Sequence, residues 1–155
     1  MVEHESVVVE RSIGAPAKEL YDLVADVTAM HRWSPETTAC TWLKGATGPA
    51  AGARFRGANR DGWRRWSTTC TVVDASPGER FAFDVSFAGV PISRWAYDFD
   101  GDAGGGRTTV RETWLDRRPR WMQVMSPTVM GVKDRNGHNR AGMEATLAAL
   151  AAAGE

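Results

Sequence analysis

Two neighbouring stretches, ERFAFDVSF (79–87) and ISRWAYDFD (92–100), carry a large apolar side chain at every second position. Phe81, Phe83, Val85 and Phe87 fall on one face, and Trp95, Tyr97 and Phe99 fall together on the next segment. That period belongs to a strand with one side in a core and the other in water, because successive strand side chains point to opposite faces. Similar segments recur at 37–43, 53–60, 63–75 and 107–115, and SVVVERSI (6–13) adds a β-branched one at the start. Turn residues separate them, among them Asp61-Gly62, Ser76-Pro77-Gly78 and Gly89 with Pro91. Links this short join antiparallel neighbours, since a parallel pair needs a crossover of a dozen residues or more. The expectation is an antiparallel sheet of six to seven strands with one apolar face, and that face must be covered.

The cover is at the C-terminal end. From Pro127 to Ala153 the chain reads as one long helix, with Ser126 as N-cap, Pro127 at the first helical position and Gly154 at the end. At 100° per residue Met125, Val129, Val132, Asn136, Asn139, Met143, Leu147 and Leu150 form one stripe. Two shorter helical pieces, 16–25 and 27–33, follow the first strand, and Ser34-Pro35 ends the second. The fold class is α+β, in a single domain spanning 1–155, an ordinary domain length.

The stretch DGWRRW (61–66) tests which side chains face inward. A two-residue hairpin at Asp61-Gly62 pairs Arg60 with Trp63, Asn59 with Arg64, Gly57 with Trp66 and Phe55 with Thr68. Phe55, Asn59, Arg64, Trp66, Thr68, Cys70 and Val72 then share one face, the inner one by its Phe, Trp and Val content, and Gly57 leaves room for the Trp66 indole. Trp63 and Arg65 face the other way. The two tryptophans do not form one stacking platform, and Lys+Arg equals Asp+Glu at 19 each, so a nucleic-acid partner is not expected. Arg64 and Asn59 read either as polar groups at a pocket rim or, for Arg64, as a solvated arginine lying along Trp66.

Polar groups on inferred inner faces set this chain apart from one with a dry core. Asn136 and Asn139 sit mid-stripe on the helix, where an amide without partners costs about 1–3 kcal/mol. Glu112 shares a face with Val110 and Trp114. A cavity holding a polar ligand group would accommodate them, as would hydrogen bonds to the sheet; Glu112 could equally be an arginine-paired or rim carboxylate. If enclosed, it would have a raised pKa and serve as acid or base. An apolar pocket with a few polar groups is the usual small-molecule site.

Other chemistry finds little support. Cys40 and Cys70 make no metal motif and read as reduced, half-buried side chains. His4, His31 and His138 lie on separate elements, with His138 on the solvent side of the helix. There is no HExxH, GxSxG, nucleotide loop or metal spacing, so neither metal nor cofactor is expected. No apolar run approaches a membrane span, and the acidic start MVEHESVVVE is unlike a signal peptide, so a cytoplasmic location is expected. Asp116-Arg117-Arg118-Pro119-Arg120 reads as a solvated connector, with transient contact to a membrane surface as its other role.

The opening SVVVERSIGAPAKELYDLVADVTAMHRWSP resembles the first strand, paired short helices and Trp-Ser-Pro segment of START-like, SRPBCC proteins, the birch-pollen-allergen or helix-grip fold. The middle, GARFRGANRDGWRRWSTTCTVVDASPGERFAFDV, resembles the polyketide cyclase/dehydratase and lipid-transport branch, and DRNGHNRAGMEATLAAL resembles the closing helix. The resemblance implies a curved sheet gripping a long C-terminal helix over a deep hydrophobic cavity, in a family that binds lipids, sterols, quinones or polyketides. Some of its members catalyse, with tyrosine, arginine, acidic or histidine groups lining the pocket; Tyr97, Arg64 and Glu112 are the matching types here.

The expected ligand-binding set is Phe55, Asn59, Arg64, Trp66, Thr68, Phe83, Trp95, Tyr97, Trp114, Val132, Asn136, Asn139 and Met143. Three functions compete. The first is a carrier or sensor of an apolar small molecule. The second is a cofactor-independent polyketide cyclase/dehydratase, decided by whether Glu112, Tyr97 and Arg64 converge on the ligand. The third is a toxin-like or protein-interaction module, for which an exposed apolar patch around Trp63, Trp121 and Met122 would be the sign.

Overall fold

The computed structural model describes residues 6–121 and 135–155. Seven strands form one sheet in the order β1-β7-β6-β5-β4-β3-β2, every neighbouring pair antiparallel. They are β1 (Ser6–Ile13), β2 (Thr37–Trp42), β3 (Arg54–Asp61), β4 (Arg64–Ser76), β5 (Arg80–Phe87), β6 (Val90–Gly101) and β7 (Thr108–Asp116). Strands β2 to β7 run as a meander, and the first strand closes the order by pairing with the last, Val9 opposite Glu112. Helix α1 (Ala17–Ala25) and a short 3-10 helix (Val27–Arg32) follow β1, and helix α2 (Arg135–Gly154) ends the chain. This is the helix-grip α+β arrangement that the resemblance implies.

Local chemistry explains the boundaries. Pro16, at φ −65° and ψ 147°, is the N-cap of α1 and not its first helical residue. Asp26 separates the two short helices, its carboxylate accepting from the Thr28 backbone N–H at 3.2 Å. The β3–β4 turn is Gly62-Trp63, with Gly62 at φ 63°, so Asp61 pairs with Arg64, Asn59 with Trp66, Gly57 with Thr68 and Phe55 with Cys70. The expected pairing is therefore displaced by two positions, and Gly57 makes room for Thr68 instead of Trp66. An even displacement leaves every side chain on its face, whereas a slip of one reverses them all. Strand β6 begins two residues before the expected Ile92, because a register shift at Val85/Ser86 accommodates Pro91 opposite Ser86.

The core lies between α1, α2 and the concave face. Ile13, Leu20, Val27, Phe81, Val110 and Leu150 are completely buried. Tyr21 on α1 meets Phe81 and Phe99 edge-on, with ring centroids 6.4 and 5.9 Å apart. On α2, Met143, Leu147 and Leu150 are buried as the stripe requires. The helix packs on β1, β7 and α1, so it covers only one end of the concave face. The expected N-terminal part of this helix, including Ser126, Pro127, Met125, Val129 and Val132, lies outside the described residues, as does the side chain of Asn136.

Candidate functional site

Over the part of the concave face that α2 leaves clear lies a cavity of two adjoining lobes that share Phe83, Trp95, Met30 and Asn139 in their walls. The outer lobe has a volume of about 800 Å³ and the inner lobe about 330 Å³. Strand register builds the floor. Phe83, Trp95 and Trp114 stand in one cross-strand row, and Phe81, Tyr97, Glu112 and Val9 stand in the next. Phe55 extends the aromatic floor, its ring edge-on to Trp42 and Phe83 at centroid distances of 5.6 and 5.2 Å.

Most of the residues singled out from the sequence converge here. Phe55, Asn59, Arg64, Trp66, Thr68 and Trp114 wall the outer lobe, Phe83, Trp95 and Asn139 touch both, and Tyr97, Glu112 and Met143 line the inner one. Trp66 is half-buried. Arg64 does not converge with Glu112 and Tyr97: it lines only the outer lobe, and its guanidinium lies over the Trp63 ring, 5.6 Å from the centroid. Val132 and the Asn136 side chain lie outside the described residues.

Glu112 is the most unusual group. It is 1% exposed, and its Oε2 accepts the Tyr97 hydroxyl at 2.9 Å. Its other oxygen, Oε1, is buried with no hydrogen-bond partner, and so is Nδ2 of Asn139 on the same lobe. Burial pushes the Glu112 carboxyl up to about 8, with the Tyr97 bond opposing only part of that rise. Burial, and then the neighbouring Glu112, raises the Tyr97 hydroxyl well above its ordinary value. Glu112 is thus enclosed and tied to a tyrosine, neither arginine-paired nor a rim carboxylate.

Several expectations are corrected at the cavity mouth. Trp63 occupies the hairpin turn, is 85% exposed and borders the outer lobe, so it is not on the back of the sheet. Phe87 is likewise at the mouth, half exposed, and not in the interior. His138 is exposed, as its helical angle implies, and at the lobe edge its Nε2 bonds Glu36 Oε1. Cys40 and Cys70 are fully buried free thiols in the outer-lobe wall, raised by burial to about 11 and about 12. The basic run is not a solvated connector: Arg118 pairs with Asp116 at 2.6 Å, and Arg117 reaches Asp84 at 2.8 Å.

Glu36, Asp61 and His138 escaped the sequence reading. Their ligand-type atoms lie within 4.8 Å of one another, the grouping among the described residues with the donor set for a metal ion. As placed, His138 and Glu36 satisfy each other. The three come from the segment before β2, the end of β3 and α2, so no spacing in the chain announces them.

The family model for polyketide cyclase/dehydrase and lipid transport matches residues 4–155. The chain belongs to that family. Solved structures agree on the START-like fold. A Polyketide_cyc-like protein from Corynebacterium glutamicum is 26% identical, with a TM-score of 0.65, over 97% of this chain and 91% of that one. A START superfamily protein from Mycobacterium smegmatis is 14% identical at a TM-score of 0.71, over 98% of this family member and 97% of that chain. A di-domain ARO/CYC of a biosynthetic pathway is 18% identical at a TM-score of 0.62; 92% of this chain is covered, but only 45% of that one. No curated protein matches.

Proposed function

We propose that this polyketide cyclase/dehydrase and lipid transport family protein binds an apolar small molecule, of lipid, quinone or polyketide type, between its sheet and α2, and carries or senses it. The observation that carries this reading is the outer lobe: about 800 Å³, floored by Phe55, Phe83, Trp95 and Trp114, with Asn59 and Arg64 nearer the mouth. That volume and mixture suit a small-molecule pocket. Trp63, Phe87 and Trp121, between 49% and 85% exposed, border its opening and give an apolar ligand, or a membrane surface that supplies it, a place to land. The same exposed tryptophans are what a protein-interaction module would need, but their position on the rim favours ligand passage; Met122 lies outside the described residues. Free thiols at Cys40 and Cys70 and balanced charge fit a cytoplasmic protein without a nucleic-acid partner.

A second reading, a cyclase/dehydratase, draws on the Glu112–Tyr97 pair, an enclosed acid whose proton is held near neutral pH. Native mass spectrometry of freshly purified protein, with organic extraction, tests the binding reading. A discrete apolar adduct that Trp66→Ala loses supports it. A protein that is empty and also takes up no fluorescent apolar probe overturns it.

A further inference from the structure

Glu36, Asp61 and His138 meet on the cavity wall, and the backbone holds them there. Glu36 and His138 line both lobes, and Asp61 lines the outer one. The Arg60 N–H donates to the Glu36 carbonyl at 2.7 Å, which ties the segment before β2 beside the end of β3. Thr37 pairs with Asn59 next to it, and a register shift follows between Thr37 and Ala39, an irregularity of the kind that re-aims side chains. Asp61 is the last residue of β3, before Gly62 turns at φ 63°. His138 comes from the first turn of α2.

Each of the three offers one donor atom, and those atoms lie within 4.8 Å of one another. His138 Nε2 and Glu36 Oε1 bond each other, which leaves a second carboxylate, Asp61, close to the first. Like charges this close repel unless a cation lies between them. Arg60 turns its Nε to the Gly62 carbonyl at 2.8 Å, and Arg64, opposite Asp61, lies over the Trp63 ring. Two carboxylates and an imidazole are donors that zinc and neighbouring divalent metals take, at about 2.0–2.2 Å. A tetrahedral ion at that distance sets its ligand atoms about 3.4 Å apart. The broad terminal torsions of these side chains allow the shift, on the order of an ångström, that closes the set. The His138 and Glu36 side chains are 39% and 36% exposed, so they can turn and an ion can reach them.

We propose that Glu36, Asp61 and His138 form a binding site for a divalent transition metal of the zinc type, each giving one oxygen or nitrogen ligand. Three protein ligands leave a coordination position for water, the pattern of an open zinc site. The ion takes the place of the proton between His138 and Glu36 and neutralises the second carboxylate. It clasps α2, which packs on β1 and β7, to the β2–β3 edge on the other side of the sheet.

Isothermal titration calorimetry of the metal-stripped protein with Zn2+ tests this. The wild type should take up one equivalent. Glu36→Gln, Asp61→Asn and His138→Gln should each weaken binding by about a hundredfold or more, beyond the roughly 10–100-fold that loss of a supporting group costs. His31→Gln should leave it unchanged. Ca2+ should bind at least about tenfold more weakly, because an imidazole suits zinc better than a hard cation. Circular dichroism checks that each variant is folded. Independently of the variants, Co2+ bound to the wild type should show visible bands without the near-ultraviolet band of a thiolate, which separates this site from Cys40 and Cys70. The assignment is overturned by any of four results: no binding, binding that Asp61→Asn leaves unchanged or His31→Gln abolishes, equal affinity for Ca2+, or a thiolate band with Co2+. None of these outcomes bears on whether the cavity holds an apolar molecule.

Discussion

Replacing Glu112 by glutamine should make the protein more stable at alkaline pH, an unusual outcome for a fully buried polar side chain. The carboxyl's midpoint moves from an ordinary 4.5 to about 8 on folding. A folded-state value above the unfolded one means that the native protein binds the proton more tightly. Between pH 4.5 and 8 the unfolded chain has released its proton and the folded one has not, so stability falls as pH rises and levels off above 8. At 1.36 kcal/mol per pH unit the whole loss is about 5 kcal/mol, an upper bound because the cavity admits water to the ionised form. Glutamine has the shape and hydrogen-bonding pattern of the neutral acid and does not titrate. Urea unfolding of both proteins at pH 5, 7 and 9 measures the difference. The variant's advantage should grow with pH and move the midpoint by more than about 1 M urea at pH 9, given slopes of 1–3 kcal/mol per M. Parallel pH profiles would mean that Glu112 is ionised in the fold, and the reasoning from burial would be refuted.

Asp84 accepts from Arg94 at 2.6 Å and from Arg117 at 2.8 Å, linking β5, β6 and the segment after β7. Asp84→Asn should cost about 1 kcal/mol at pH 7, the range for partly exposed pairs, in thermal melts. The Asp84 carboxyl is held below its ordinary value, first by the Arg94 hydrogen bond, so that cost should vanish as pH falls through the acid range where aspartate protonates. Ala88 holds φ at 51° in the β5–β6 turn, a conformation that favours glycine. Ala88→Gly should raise stability by about 0.5–1 kcal/mol, and a lower melting temperature would contradict that.

Much of this fold was legible because period-two alternation and turn residues survive errors of detail. The β3–β4 turn was misplaced, yet Phe55, Asn59, Trp66 and Thr68 kept their face, since the displacement was even. Asn139 was legible as a polar interruption of the helical stripe, and Glu112 as a charge on an apolar face. What sequence could not show was depth and convergence. Phe87 shares the face of Phe83 but ends its strand at a turn, so it emerges at the mouth. His138 is solvent-facing as its helical angle implies, but that angle is silent about its partner Glu36, which is 102 residues away in the chain. Arg117 and Arg118 looked solvated because their acidic partners could be chosen only with the sheet assembled.

The pairing of the first strand with the last has a consequence for how the chain reaches its native state. Val7 to Val9 find their partners only when residues 112–114 exist, about a hundred positions later. At 5–20 residues per second, a ribosome leaves β1 unpartnered for at least several seconds. The meander can zip locally in the meantime, but closure of the sheet, and docking of α2 on β1, must come last. SVVVERSI is a β-prone segment for that whole interval, and its charged Glu10 and Arg11 are placed where they discourage pairing with another nascent chain. A cavity bounded by α2 is therefore finished only at the end of folding.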